Sequence, residues 1–228
     1  MVIDTDILLG QTERHLAKTG AYTGVLHEDV VEPFEQLRRR AATAGFDLRI
    51  ASGYRSFDRQ LMIWNAKASG QRPVLDDQDQ VVALDKLTAL GKIQAIMRFS
   101  ALPGASRHHW GTDMDVYDAN AIDADYQLQL TCSETEAGGP FHALHIWLDH
   151  ALAESDFFRP YTSDAGGLAP EPWHLSYRPL AENYAAALNT EIILDSCRRV
   201  DMQFSDTIVH NIHQLFQQFI GLDCRSRV

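Results

Sequence analysis

The sequence predicts an α+β domain in which a small, mainly antiparallel sheet is flanked by helices. Two patterns support this class: predicted strands and helices follow one another without a steady βαβ rhythm, and no glycine-rich phosphate loop is present. The chain has 228 residues, the size of one ordinary domain with decorations or at most two small ones. A chain of this length can bury a sizeable core without disulfides.

The first half of the chain contains two predicted helices around one predicted strand. Four apolar side chains at helical spacing indicate the first helix: Val30, Phe34, Leu37 and Ala41. Residues 46–52 alternate between apolar and other side chains, as a half-buried strand does. Ser56 then caps a second helix. The inner face of this helix has three large side chains: Phe57, Leu61 and Trp64.

The second half continues this mixture of elements. Residues 84–99 have the pattern of a helix, and residues 112–118 alternate as a strand does. An apolar stripe then predicts another helix: Leu144, Trp147, Leu148, Ala151 and Leu152. Residues 171–177 are predicted to form the last strand, and residues 181–188 a helix after it.

The C-terminal part is predicted to be an extension of the main domain. We divide the chain into a domain at residues 1–195 and a helical extension at residues 196–228. Six apolar residues make one strongly amphipathic helix in the extension: Ile208, Ile212, Leu215, Phe216, Phe219 and Ile220. Packing on the domain's own surface explains this apolar face more simply than a dimer contact does, so we expect a monomer or a weak dimer.

The composition excludes some classes of partner. The formal net charge of −11 argues against a nucleic-acid or anionic-membrane partner, because phosphate binding relies on clustered Lys and Arg. No apolar stretch in the sequence reaches the length of a membrane span. The cysteines Cys132, Cys197 and Cys224 form no Cys-x-x-Cys motif, and three thiols cannot all pair within one chain.

Two short segments together supply the donors of a catalytic zinc site. One segment contains His108 and Asp115, and the other contains Glu171 and His174. A hydrolytic zinc takes three protein ligands and leaves the fourth position to water, whose pKa the metal lowers to about 7. A further carboxylate that is not a ligand can then act as the base.

Strand geometry alone does not bring these side chains together. In one regular strand, His108 and Asp115 would point to opposite faces, because side chains alternate. Gly111 must therefore allow a bend, or His108 must lie in the preceding loop. Glu171 and His174 raise the same problem before the last strand.

The order and spacing of these residues resemble the D-alanyl-D-alanine carboxypeptidase and dipeptidase family of zinc peptidases, which is related in fold to lysostaphin-type peptidases and to the hedgehog signalling domain. The family pattern is Ser-x-His, then Gly three residues on and Asp four further, with Glu-x-Trp-His near the end of the domain. The sequence matches it at seven positions: Ser106, His108, Gly111, Asp115, Glu171, Trp173 and His174. A third signature matches at residues 52–56 and Gln60. The resemblance covers residues 28–180.

The resemblance implies an antiparallel sheet that carries zinc, bound by His108, Asp115 and His174. It also implies that Glu171 is the general base and that Arg55 stabilises the oxyanion of the tetrahedral intermediate. Four further residues are expected to orient the arginine, bind substrate or wall the pocket: Ser52, Gln60, Ser106 and Trp173. The implied reaction is hydrolysis of peptidoglycan stem peptides by metal-activated water, which removes the C-terminal D-alanine from a D-Ala-D-Ala end.

Several alternatives remain open. Relatives of this kind also include dipeptidases that release D-Ala-D-Ala and endopeptidases that cut between L-alanine and D-glutamate. A zinc-binding module without catalysis is a further alternative, although it has no chemical need for both Glu171 and Arg55. An iron oxygenase uses the same two-histidine, one-carboxylate ligand set, but it usually places its first His and acid closer together than His108 and Asp115 are. No motif supports a cysteine nucleophile or a Ser-His-Asp hydrolase.

The compartment is a separate question. The N-terminus carries acidic residues where a signal peptide carries basic ones. As written, the sequence therefore indicates a cytoplasmic protein that acts on wall precursors or recycled fragments. A location in the cell envelope requires that a leader has been removed.

Overall fold

A computed structural model describes residues 3–164 and 166–221 and confirms the α+β class. Its sheet has four antiparallel strands: β1 (Leu48–Ser52), β2 (Asp113–Asp118), β3 (Phe157–Phe158) and β4 (His174–Tyr177). Their spatial order is β1-β2-β4-β3. The two central strands, β2 and β4, are far apart in sequence, so the middle of the sheet joins the two segments that carry the predicted metal ligands.

Helices surround this sheet in the described part of the chain. Their bounds are α1 (Thr5–Leu8), α2 (Val31–Thr43), α3 (Phe57–Ala68), α4 (Ala89–Met97), α5 (Cys132–Thr135), α6 (His142–Ala151), α7 (Arg178–Ala187), α8 (Thr190–Arg198) and α9 (Ser205–Leu215). A 3-10 helix at Arg107–Trp110 precedes β2, and a π-helical turn at Phe216–Ile220 extends α9.

Capping side chains explain where several helices begin. The Ser56 hydroxyl accepts a hydrogen bond from the backbone N–H of Arg59, as predicted for the start of α3. The helix predicted over residues 84–99 is shorter than expected. The Thr88 side chain accepts the backbone N–H of Gly91 at 3.1 Å and so defines a helix start at Ala89.

The two faces of the sheet differ in chemistry because side chains alternate along each strand. Met114, Val116 and Leu175 point to one face, where they are fully buried against α2 and α6. Asp115 and His174 point to the other face. The apolar face therefore anchors the sheet to its core and leaves the polar face available for a site.

The register aligns three functional positions across neighbouring strands. Asp115 of β2 lies directly opposite His174 of β4 and also opposite Ser52 of β1. A β-bulge between Ile50 and Ser52 makes the second pairing possible. Without this bulge Ser52 would share the face of Ile50, which packs on the apolar core.

A second core lies among the helices and includes the C-terminal segment. Ile208 and Ile212 of α9 are buried in the same cluster as Trp64 of α3 and Ile96 of α4. The apolar face of the extension is thus covered within the chain, as expected from the sequence. The proposed division at residues 195/196 falls inside α8, and it remains a prediction, as does the oligomeric state.

The described thiols and helices add two further observations. Cys132 and Cys197 are free, and burial raises the pKa of both thiols, that of Cys197 to about 11. Such thiols are poor nucleophiles at neutral pH. Cys224 lies outside the described residues. Within the described part of the chain, every helix is too short or too polar to cross a membrane.

Replacing Ile212 tests whether α9 belongs to the common core. Ile212 is 2% exposed, and an Ile212→Ala change should lower the free energy of unfolding by about 2–5 kcal/mol because it leaves a cavity. Urea denaturation measures the change. Ile146→Ala is the matched control, since Ile146 is 49% exposed and its loss should cost less than about 0.5 kcal/mol. Equal effects of the two substitutions would contradict the buried placement of α9.

Candidate metal centre

Three buried side chains converge on the polar face of the sheet. His108 comes from the 3-10 helix before β2, Asp115 from β2 and His174 from the first position of β4. One donor atom from each lies within 4.8 Å of the other two. His108 Nε2 is 3.4 Å from Asp115 Oδ2, and His174 Nδ1 is 3.2 Å from Asp115 Oδ1. The two segments singled out in the sequence therefore meet at one point.

Gly111 resolves the alternation problem between His108 and Asp115. It ends the 3-10 helix in the left-handed region at φ 66°, a conformation that glycine adopts without steric cost. A Cβ at this position would lie 2.8 Å from the backbone nitrogen of His27. The turn places His108 above the sheet, so it need not follow the alternation of β2. Glu171 similarly lies in the turn before β4.

The donor set fits a metal ion. In the described structure, Asp115 Oδ1 and His174 Nδ1 are buried atoms without a hydrogen-bond partner. An unpaired buried polar atom costs about 1–3 kcal/mol, and a cation placed between these two would satisfy both. Two imidazole nitrogens with one carboxylate oxygen are donors that zinc and other transition metals accept.

Hydrogen bonds orient both imidazoles toward the centre. His108 Nδ1 lies 2.9 Å from the carbonyl oxygen of Gly53. With the ring proton on Nδ1, Nε2 keeps a lone pair that can bind a metal ion. His174 Nε2 lies 3.0 Å from Asp113 Oδ1, which leaves Nδ1 free. Outer hydrogen bonds of this kind set the tautomer of a metal-binding histidine.

Asp113 is a buried acceptor for His174 and lies outside the triad. Arg107 Nε donates to its Oδ1 at 2.7 Å, and the Thr112 hydroxyl donates to its Oδ2 at 2.7 Å. These interactions hold the pKa of Asp113 well below its usual range despite its burial. Asp113 therefore stays charged and remains a strong hydrogen-bond acceptor for His174 Nε2.

The charge state of the two histidines differs. Burial lowers the pKa of His108 to about 3, so this ring is neutral at physiological pH. Burial also opposes protonation of His174, but the carboxylates of Asp113, Asp115 and Glu171 outweigh it and hold the pKa of His174 well above its ordinary value. The protonated His174 ring thus faces three acidic side chains, and a bound metal cation would take the place of its Nδ1 proton.

Glu171 lies beside the triad. Its Oε2 is 3.4 Å from His174 Nδ1, and its backbone N–H donates to the Tyr161 carbonyl oxygen at 3.0 Å. Burial raises the pKa of the Glu171 carboxyl above its ordinary value. A carboxylate in this environment is a stronger base than an exposed one.

Arg55 is held on the same side by two neutral groups. Its Nη2 donates to the Ser52 hydroxyl and its Nη1 to Gln60 Oε1, both at 3.0 Å. Gln60 is itself fully buried and donates to the Ala101 carbonyl oxygen at 2.7 Å. Of the roles expected for Ser52 and Gln60, the contacts therefore favour orientation of the arginine.

These groups line a cavity of about 470 Å³. The sequence-predicted residues on its wall are Arg55, Ser106, His108, Asp115, Glu171, Trp173 and His174. Sequence reasoning missed Lys67 and Arg107, which also line it. Lys67 follows Gln60 by seven residues on α3 and so lies on the same helix face, a signal that the sequence already contained. A second cavity of about 560 Å³ shares Arg107 but none of the triad.

Two other histidines are also buried. His109 is fully buried, with Nδ1 2.6 Å from the Arg55 carbonyl oxygen and Nε2 accepting the Gly104 N–H at 3.0 Å. It braces the Arg55 loop and is absent from the cavity wall. His145 of α6 is also buried, and Arg159 packs on it with its Nη2 3.1 Å from the ring Nδ1.

Comparison with known proteins places this geometry in a family. The family model VanY, D-alanyl-D-alanine carboxypeptidase, matches residues 23–180. An uncharacterized protein of Haemophilus influenzae is 33% identical over 121 residues, which cover 52% of this chain and 92% of that protein. A second uncharacterized protein of the same organism is 38% identical over 105 residues, or 45% of this chain and 72% of that protein.

Solved structures give weaker overall similarity. VanYB in complex with D-alanine-D-alanine has a TM-score of 0.48 and 22% identity, covering 75% of this chain and 82% of that one. A mutant of the vancomycin resistance D,D-pentapeptidase VanY in complex with Zn(II) has a TM-score of 0.49 and 23% identity, covering 78% and 88%. The family model, in contrast, spans more than half of this chain and contains every residue of the metal centre. The chain therefore belongs to the VanY family of D-alanyl-D-alanine carboxypeptidases.

Proposed function

We propose that this protein is a zinc-dependent carboxypeptidase that removes the C-terminal D-alanine from peptidoglycan stem peptides ending in D-Ala-D-Ala. One observation carries the proposal: a potential metal triad, a half-buried glutamate and a half-buried arginine line a single cavity. Membership of the VanY family supports the choice of substrate.

The triad of His108, Asp115 and His174 would hold the zinc. When bound, zinc polarises the scissile carbonyl as a Lewis acid and lowers the pKa of a water molecule to about 7. Gly53 and Asp113 keep the outward nitrogens of the two imidazoles engaged. Both rings can therefore offer a lone pair in a fixed direction, which limits reorganisation on metal binding.

Glu171 would move the proton. Its carboxylate is next to the triad without being part of it, so it is free to accept a proton from the attacking water. The raised pKa of Glu171 favours this step, and the resulting acid can give the proton to the departing amine.

Arg55 would stabilise the oxyanion of the tetrahedral intermediate. A guanidinium has five N–H donors, and the recorded contacts of Arg55 use one on each terminal nitrogen. The remaining donors can reach a substrate in the cavity. A fixed cation beside a developing negative charge is commonly worth about 3 kcal/mol in the transition state, which is roughly a hundredfold in rate.

Replacing Glu171 separates proton transfer from metal binding. We expect Glu171→Gln to lower kcat by roughly 100-fold or more while zinc content, measured by atomic absorption, stays near one ion per chain. Glu191→Gln is the control, because Glu191 is exposed at the start of α8. Normal turnover by Glu171→Gln would show that another group acts as the base.

Replacing His174 tests the metal site. His174→Ala removes one of three donors, so the protein should lose most of its zinc after dialysis against a weak chelator. The control His210→Ala changes an exposed histidine of α9 and should retain the metal. Full retention of zinc by His174→Ala would place the site elsewhere.

Mass spectrometry of muropeptides tests the reaction itself. Tetrapeptide and pentapeptide forms are incubated together with zinc-loaded protein and with a chelated sample. We expect chelator-sensitive loss of one alanine from the pentapeptide only. Release of the dipeptide D-Ala-D-Ala, or cleavage after L-alanine, would assign a different specificity within the same chemistry, and no change in any species would contradict the proposed function.

A further inference from the structure

Lys67 is a cation in the cavity that the proposed chemistry does not use. It lies near the end of α3 and lines the same cavity as Glu171 and Arg55. Its Nζ donates a hydrogen bond to the Ser100 hydroxyl at 2.9 Å. Ser100 is itself buried, so the ammonium group is held at a defined place on the wall and does not extend into bulk solvent.

No carboxylate of the described residues lies within 4.0 Å of the Lys67 ammonium, whose one recorded partner is the neutral Ser100 hydroxyl. Burial, followed by the charge of Arg72, lowers the pKa of Lys67 to about 8, and the opposing effect of Glu171 is smaller. A buried cation without a countercharge is costly. An anionic group of a bound ligand would therefore provide the countercharge that Lys67 lacks.

The other charges around this end of the cavity support an incoming anion. Arg72, exposed at the rim, adds a second positive charge. Asp77 and Asp79 also line the cavity. The Asp77 carboxylate is engaged by Arg98 at 2.7 and 2.6 Å, and Asp79 is exposed, where solvent screens its charge. A substrate anion at Lys67 thus meets two cations, while one nearby acid is paired with Arg98 and the other is exposed to solvent.

The position of Lys67 on the cavity wall that Arg55 and Glu171 also line suits the end of a peptide. In a carboxypeptidase substrate, the terminal carboxylate lies one residue beyond the scissile bond, and adjacent Cα atoms are about 3.8 Å apart. Arg55, Glu171 and Lys67 line the same cavity, and the charges of Arg55 and Glu171 both contribute to the pKa of Lys67. An endopeptidase substrate would place a neutral amide where a carboxypeptidase substrate places a charge.

We propose that Lys67 binds the free C-terminal carboxylate of the substrate and is the residue that sets preference for removal of a terminal amino acid over internal cleavage. This inference rests on the proposed peptidase function. Arg72 assists by attracting the anion to the rim. The ammonium keeps its hydrogen bond to Ser100 and directs a remaining N–H at the carboxylate, which adds a charge-assisted hydrogen bond.

Paired substrates test this role. An acylated peptide ending in D-Ala-D-Ala and its C-terminal carboxamide are compared for wild type, Lys67→Met and Lys67→Arg. We expect wild type to prefer the free acid, and Lys67→Met to lower kcat/KM for the acid by roughly 10- to 100-fold, mainly through KM. The carboxamide should be affected far less, and Lys67→Arg should restore much of the preference.

Lys86→Met is the matched control, because Lys86 is exposed and lies outside the cavity. Its acid-to-amide ratio should equal that of wild type. Thermal unfolding shows whether Lys67→Met folds, and its midpoint should be equal or higher because a half-buried cation without a carboxylate partner is removed. An unchanged acid-to-amide ratio in a folded Lys67→Met protein would overturn the assignment.

Binding separates failure of this inference from failure of the proposed function. Calorimetry with N-acetyl-D-alanine and its amide needs no turnover. If wild type cleaves neither peptide but binds the acid more tightly than the amide, and Lys67→Met loses that difference, the anion site stands while the peptidase proposal fails. If wild type does not distinguish acid from amide in either assay, the role of Lys67 is wrong.

Discussion

The antiparallel register between β2 and β4 is the constraint on which the site depends. It sets Asp115 directly opposite His174, so two of three potential metal ligands are cross-strand neighbours on one face. A slip of one residue would move Asp115 to the other face. Packing on the apolar face opposes such a slip, because Met114 and Leu175 are buried in the core there and would lose that position. Hydrophobic packing on one face therefore fixes how the potential metal ligands are arranged on the other.

A buried ion pair also supports the register between β2 and β4, and the register therefore depends on both partners of that pair. Asp113 lies opposite Ser176 in the β2–β4 pair, and Arg107 donates to both, at 2.7 and 2.6 Å. Asp113, which orients the His174 ring, is thus linked through Arg107 to the neighbouring strand. A buried ion pair of this kind is sensitive to loss of either partner, because the remaining charge is left without a countercharge.

Segments outside the sheet shape the cavity. Arg98 binds Asp77 and Asp164 through paired hydrogen bonds and also donates to the Gly167 carbonyl oxygen at 2.8 Å. Two loops that border the cavity are thereby connected across the end of α4. Charge-assisted pairs with this geometry are among the stronger polar contacts in proteins. Part of the cavity wall is consequently built from residues that are distant in sequence from the predicted metal ligands.

The sequence by itself determined the donor chemistry, most helices and strands, and the burial of the amphipathic C-terminal helix. These features are local, since alternation, helical spacing and motif order are readable within a few residues. Only the tertiary structure decided which nitrogen of each histidine faces the centre, why Ser52 reaches the polar face, and that Lys67 shares the cavity. Each of these depends on contacts between distant residues: His108 is oriented by Gly53, 55 positions away, and a bulge in β1 turns Ser52. Side-chain patterning encodes which face a residue prefers, but the partner that it meets there is a property of the folded chain.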